Sequence, residues 1–387
     1  MKLRNRSFIY ISVLMLTLLL VVTGCSEEYG GNPTNPSSTR GLPADPGDGN
    51  FAGKVVGTIN ENVLAGLKVT IGEKSTTTGL DGTFRLDGVG SGNLAVVLSG
   101  STVYTRTAAV NTANGRSVLL DAIETNSNFS LKFYRELARG NHPNERNMYP
   151  THRWTSTTPP TFYINTNAQA TLDGTINQKT IDTVKQVLSE IVPVFSGNYY
   201  SALSVKTRYF ATLNSFAQIP ENSIVVSFDD TLVDIGAYGL TVTDPDFVSS
   251  VGTSINKAAH FILDSDQFYK SGTNPTAIAL REIIAHELGH GFGYRHASAL
   301  PTVMYPAEEF GGLYSSFDQI HMAVIYSRPI GNTDIDNDPL PNAKAFGGIL
   351  QPQIFVDDRA NFMKSPELLR QIQTLTRFGM VQEYLTK

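Results

Sequence analysis

His286 and His290 stand four residues apart in the run Ala285-His286-Glu287-Leu288-Gly289-His290-Gly291-Phe292-Gly293-Tyr294-Arg295-His296. On a helix that spacing projects both imidazoles from one face, one turn apart, where they can share a metal ion. Glu287 follows the first histidine, so its carboxylate stands beside such a metal rather than on it. From there it can take a proton from a metal-activated water and pass it on. Gly293 lets the chain leave the helix in a conformation other residues resist, and the turn brings His296 back as a third ligand. Three histidines leave one position of a tetrahedral zinc for water, the catalytic arrangement rather than the closed structural one. The pKa of that water falls from about 15.7 towards about 7. A polar face on an ordinary surface helix is the alternative for the histidine pair alone.

The extended pattern H-E-x-x-H-x-x-G-x-x-H resembles the signature of the metzincin zinc endopeptidases. Downstream, Ala299-Leu300-Pro301-Thr302-Val303-Met304-Tyr305-Pro306 is similar to the methionine-containing turn beneath the metal in that clan, and its Met-Tyr-Pro wording looks most like the matrixin branch. The resemblance implies that Met304 supports the histidines from below without binding zinc, and it gives Tyr305 no ligand role. It also implies an α+β catalytic domain: a five-stranded twisted sheet, the active-site helix and the Met turn. Animal matrixins carry a second, structural zinc. Here His142, His152, His260 and His321 lack ligand-spaced partners, so one zinc per chain is expected, with His142 and His152 read as solvated loop residues, His260 as a strand residue and His321 as a surface or packing residue.

The elements that must position this site are legible in outline. Thr161–Asn165 reads as a first strand. Ile181, Val184, Val187, Leu188 and Ile191 keep a helical period that Pro193 closes. Leu203–Phe210, Ser223–Phe228 and Ala258–Leu263 read as strands. In the zinc helix, from about Thr276, Leu280, Ile283, Ile284 and Leu288 form an apolar face for the sheet. The segment Gly236, Ala237, Tyr238, Gly239, Leu240, Thr241, Val242 is expected, by the resemblance, to be the antiparallel edge strand above the cleft. Its unpaired N–H and C=O groups would receive an extended peptide substrate; an ordinary edge strand shielded by a loop is the competing reading. Ser316–Tyr326 reads as a closing helix with Ser316 as its cap.

With 387 residues, the chain suits two folded units plus tails, and 41% hydrophobic with 17% charged residues suits proper cores. A net charge of −5 gives no footprint for nucleic acid. Residues 1–24 combine Lys2, Arg4 and Arg6 with an apolar run from Phe8 to Val22, the pattern of a secretory signal. Val22-Thr23-Gly24-Cys25 resembles a bacterial lipobox and holds the one cysteine of the chain. The resemblance implies lipidation of Cys25 and a place in the bacterial outer membrane. Ser26-Glu27-Glu28 looks like an acidic tag that sends some lipoproteins to the cell surface. An ordinary signal peptide or anchor with an incidental cysteine is the alternative. Cys25 being committed to lipid, latency through a cysteine is not expected.

Residues 25–50 read as a flexible tether. Residues 51–124, with short β-type runs and the turn Asp81-Gly82, read as an all-β sandwich similar to carboxypeptidase regulatory-like, transthyretin-like domains, acting as a spacer. A connecting segment (125–155), the peptidase domain (156–330) and a C-terminal linker and helix (331–387, with the helix from about Ser365) complete a multidomain chain. Asp334-Ile335-Asp336-Asn337-Asp338 alternates carboxylates as a calcium loop does. Pro339 stands where an EF-hand needs glycine, so the segment is read as a polar linker, with Ca2+ the alternative. The function expected from these readings is a monomeric, zinc-dependent endopeptidase acting on surface or extracellular proteins or peptides. The rival is a surface binding or adhesion lipoprotein that keeps a protease-like fold without turnover.

Overall fold

Alternation of apolar and polar residues builds the first unit. The computed structural model describes residues 41–140, 148–154, 158–167, 176–211, 213, 218–229, 239–248, 253–264, 277–298, 302–305, 314–340 and 353–356. Seven strands follow one another: β1 (Asn50–Gly57), β2 (Lys68–Ile71), β3 (Lys74–Thr77), β4 (Thr83–Asp87), β5 (Asn93–Ser99), β6 (Arg106–Asn111) and β7 (Ser117–Ala122). In β4, Phe84 and Leu86 are buried while Arg85 and Asp87 face solvent, the period of a half-buried strand. A sheet ordered β4-β1-β7 packs on one ordered β6-β5-β2-β3, with Phe51, Val55, Val69, Phe84, Val96 and Leu98 buried between them. Near the end of the expected tether, the Pro43 carbonyl accepts a hydrogen bond from Ser117 of β7. Residues 1–40, with the signal segment and Cys25, lie outside the described residues.

The second unit is a sheet flanked by helices. Its strands are β8 (Thr161–Asn165), β9 (Ser204–Arg208), β10 (Ser223–Asp229), β11 (Gly239–Val248) and β12 (Thr253–Asp264). β10 runs parallel to both β8 and β12, β9 is parallel to β8, and β11 is antiparallel to β12. Helix α1 spans Leu131–Arg139, α2 Gln178–Phe195, α3 Ala277–Gly291 and α4 Ser316–Ser327. One core joins Phe162 and Ile164 of β8, Val184, Leu188 and Ile191 of α2, Ile284 and Leu288 of α3, and Met322 and Ile325 of α4.

Several expectations need correction. The sheet has six strands, in the order β14-β11-β12-β10-β8-β9, because β14 (Gln353–Val356) pairs antiparallel with β11. The expected substrate edge is therefore covered by the chain's own later residues. Its described part begins at Gly239; Gly236, Ala237 and Tyr238 lie outside the described residues, as does the helix expected from Ser365. Helix α2 runs through Pro193 to Phe195: a proline removes a single N–H, and burial of Phe195 keeps the last turn. The cap of α4 is Ser315, whose hydroxyl accepts from the Asp318 N–H while Asp318 accepts from the Ser315 N–H, a reciprocal capping box.

The segments expected to connect the units are instead built into them. Helix α1 buries Phe133, Tyr134 and Leu137 in the second unit's core, and its Arg139 reaches Thr151 and the Asn332 carbonyl at 2.8 and 2.6 Å. Residues Asp336–Asn337 (β13) pair parallel with β6. The carboxylates proposed for calcium face guanidinium groups: Asp334 receives a bidentate pair from Arg135, and Asp336 lies between Arg106 and Arg328. Asp338 takes Arg106 and Asn332. Acceptors already matched by cations do not suit a divalent ion, and this segment is a half-buried, ion-paired junction rather than a polar linker. His321 is fully buried among Phe129, Phe133 and Phe317; its Nε2 accepts from the Ser130 N–H, and burial lowers its pKa to about 4.

Candidate metal centre

Helix α3 fixes the first two histidines because its opposite face is buried. Ile283, Ile284 and Leu288 pack in the core, and the indole N–H of Trp154 donates to the Gly291 carbonyl at 2.7 Å, holding the end of the helix. The chain then turns at Gly293, where φ is +97° and a Cβ would overlap the His152 carbonyl. His152 is thus half-buried beside the turn, not a solvated loop residue. Glycine is required here both for its backbone angle and for the close approach.

The Nε2 atoms of His286, His290 and His296 form a triangle with all three edges 3.1 Å. Those contacts are not hydrogen bonds between the rings. His286 Nδ1 lies 2.9 Å from the Val303 carbonyl and His290 Nδ1 lies 2.8 Å from the Tyr294 carbonyl, so in each the proton sits on Nδ1 and the Nε2 lone pair faces inward. Lone pairs converging in this way repel unless a cation lies among them. With zinc–nitrogen bonds of about 2.0–2.1 Å, tetrahedral ligands lie about 3.3 Å apart, so the observed triangle fits that ion within a few tenths of an ångström. Among the described residues this is the cluster that could hold a metal.

Electrostatics favours the same state. Burial lowers the His286 pKa to about 4 and the His296 pKa to about 3, the latter also opposed by His286. Burial, then the neighbouring His286 and His296, push His290 well below the ordinary value. All three imidazoles are therefore neutral near pH 7, the form that ligates a metal.

The turn at Met304 lies against α3: a Cβ on Gly289 would overlap the Met304 sulfur, and Met304 is fully buried. Its backbone accepts from the Ala297 N–H at 2.9 Å, joining the turn to the residue after His296. Asp318 of α4, which the sequence reading passed over, organises the turn. It accepts from the Thr302 hydroxyl and the Ser315 N–H, and that hydroxyl in turn accepts from the Met304 N–H. Because the Val303 carbonyl fixes the His286 tautomer, Asp318 acts on the centre through the turn. Helix α1 does the same for His296. The Leu137 carbonyl accepts from the Arg295 N–H at 3.0 Å, and Glu136 accepts from the Ser298 N–H and hydroxyl at 2.8 and 2.7 Å.

Glu287 is fully buried between Gly239 and Thr241 of β11. The Thr241 hydroxyl donates to its Oε2 and also lies 3.0 Å from its backbone carbonyl. At Gly239 a Cβ would overlap Glu287 Oε1, so only glycine lets the strand lie this close to the carboxylate. The strand expected to carry substrate is thus the one that aims the acid. No sequence signal singled out Thr241, since the contact spans elements far apart in the chain.

Residues 243–315 match the matrixin family. No curated relative matches the chain in sequence. Among solved structures, metalloproteinase-II from Bacteroides fragilis aligns at 11% identity with a TM-score of 0.25, over 72% of this chain and 87% of that one, a likeness too loose to assign structure or function by. The match over 243–315 and the histidine triad together support a metallopeptidase-like domain with a candidate metal centre.

Proposed function

We propose that the chain is a zinc-dependent endopeptidase that hydrolyses peptide bonds of surface or extracellular proteins. The observation that supports this best is the inward-facing histidine triangle with a buried carboxylate fixed beside it. His286, His290 and His296 would hold the ion. Zinc bound there supplies Lewis acidity, polarising a carbonyl and acidifying water.

The remaining work falls to the chain. Glu287 accepts the proton released by the attacking water and returns it to the leaving amine. Thr241, by donating to one carboxylate oxygen, orients the other for that transfer. Where its outer edge is free of β14, the backbone of β11 would offer ladder hydrogen bonds that align an extended substrate, and Met304 keeps the ligand-bearing segments in register. Lipidation of Cys25 and attachment to the bacterial outer membrane belong to this proposal, as does a monomeric enzyme.

The test uses the soluble form beginning after Cys25. It is expected to contain one zinc per chain and to cleave casein, to lose both metal and cleavage on treatment with a chelator, and to regain both on adding zinc. A protein that never takes up zinc would sink the reading. Replacing Thr241 by valine removes a hydrogen bond to a charged group, worth about 1.5–3 kcal/mol, and is expected to lower kcat by about 10–100-fold with KM unchanged. Serine at 241 keeps the hydroxyl and should restore most of the rate. A valine variant as active as the parent, with any loss confined to the serine variant, would assign Thr241 to packing alone.

A further inference from the structure

The sheet order places β14 against β11, whose Gly239 and Thr241 touch Glu287. The register is Leu240 with Val356, Thr241 with Phe355, Val242 with Ile354 and Thr243 with Gln353, all antiparallel. Residues of β11 beyond Thr243, which continue to Val248, take no part in this pairing. Among the described residues the pairing thus falls on the part of β11 that holds Thr241, next to Gly239, where the strand contacts the carboxylate.

An extended peptide that is to present its backbone to Glu287 must pair with this same row of β11 donors and acceptors, since a sheet edge offers one such row. Two strands cannot occupy it together. We propose that Gln353–Val356 holds the substrate-binding edge of β11 as an intramolecular stand-in for substrate, and that extended polypeptides gain the site by displacing it. The proposal rests on the endopeptidase reading for its effect on turnover, but not for its effect on peptide binding.

Physical magnitudes allow such an exchange. Four paired residues contribute few hydrogen bonds, each worth about 0.5–1.5 kcal/mol net, so β14 is not held by the ladder alone. Its hold comes from being in the same chain, which gives a tethered segment an effective concentration on the order of millimolar. An edge that is open in about one molecule in ten binds an outside peptide about tenfold more weakly than one that is always open. A full-chain enzyme would then show a slow basal rate that rises when β14 is loosened.

The experiment keeps the whole soluble chain and alters the pairing in both directions. In an antiparallel pair only alternate residues of a strand donate to a given neighbour, so of Ile354→Pro and Phe355→Pro at least one removes a donor facing β11. To lock the pair, cysteines replace Thr243 and Gln353 in one variant and Val242 and Ile354 in another. One of these two opposed pairs is the closer, non-hydrogen-bonded kind, and with Cys25 absent from the soluble form no other cysteine competes. A labelled synthetic peptide containing Gln353–Val356 and its sequence neighbours is the binding probe, used in the Glu287→Ala background so that it stays intact. Casein turnover is measured with Glu287 present.

A disulfide is expected in at least one locked variant. That form should not bind the probe, and reduction should restore binding, while one of the proline variants binds about tenfold more tightly than the parent or better. Casein turnover should follow the same order. Failure of both pairs to crosslink, or equal probe binding by locked, parent and proline forms, would overturn the proposal. Probe binding that follows the strand while no variant ever cleaves casein would overturn the endopeptidase reading and leave the occupied edge standing.

Discussion

Replacing Glu287 by alanine is expected to lower casein hydrolysis by about 10²–10⁴-fold while the protein still binds one zinc. The two effects separate because the three converging nitrogens belong to His286, His290 and His296, and Glu287 is not among them. Its carboxylate is buried and held by the Thr241 hydroxyl, so the alanine variant loses a positioned proton carrier, not a ligand. Glutamine at 287 sharpens the test. It retains the size of the side chain and an oxygen that can accept from Thr241, but it cannot take up the proton of the attacking water. Equal loss in the alanine and glutamine variants, with metal content unchanged, assigns proton transfer to Glu287. Substantial cleavage by the glutamine variant would reduce the residue to packing, and loss of zinc from both would make it part of the metal's support. Because burial keeps the histidines neutral near pH 7, the metal content of these variants should be read there.

What the sequence disclosed about this site is what lies close together along it. His286, Glu287, His290, Gly293 and His296 fall within one helix and its exit turn, where geometry follows from the helical repeat and one positive φ. Met304 was legible because its turn is a contiguous string. Groups that reach the centre from other elements were not. Thr241, Asp318 and Glu136 each act across many residues of chain, and a threonine in a strand or an aspartate near a helix start has an ordinary local reason to be there. The serine that caps α4 was not separable by spacing: Ser315 with Asp318 and Ser316 with Gln319 both have the three-residue offset of a capping box, and the structure uses the first.

The fold divides along the same line. Strand and helix periods marked β8, α2, β10 and α3, because each buries residues in the one core. Strand β14 carries no comparable pattern over its four residues, and what defines it is the open row of β11. Unit boundaries were misplaced for a related reason. Residues 125–155 and 331–340 read as connectors although the first holds an amphipathic helix around Phe129–Leu137; that helix, α1, enters the core, and the aspartates after Gly331 are matched by arginines far away in sequence.

Those arginines carry the second large effect. Arg328, at the end of α4, is fully buried where the β-sandwich meets the peptidase-type unit. Its guanidinium donates to Asp121 of β7 at 2.6 Å, to the Thr58 hydroxyl at 2.9 Å and to Asp336 at 2.8 Å. Burial alone would raise the Asp121 carboxyl, but Arg106 and Arg328 outweigh it and hold the group well below its ordinary value. Replacing Arg328 by methionine keeps much of the volume and leaves Asp121 and Asp336 with Arg106 as the remaining cation between them. Breaking a buried pair from one side costs about 3–5 kcal/mol, so urea unfolding at pH 7 should show a loss of that order and Tm should fall by about 10 °C. The sign of the pH dependence follows from Asp121. Its folded-state pKa is depressed, so its contribution is present above the unfolded value near 3.9 and is lost as pH falls through the folded one. In the methionine variant Arg106 still depresses the group, but less, so the deficit relative to the parent should stay nearly constant from pH 7 down to about the unfolded value and shrink only as the pH falls further, through the variant's folded pKa and then the parent's. A deficit that stayed constant down to the lowest pH at which the parent remains folded would show that Arg328 stabilises the junction by packing rather than by charge.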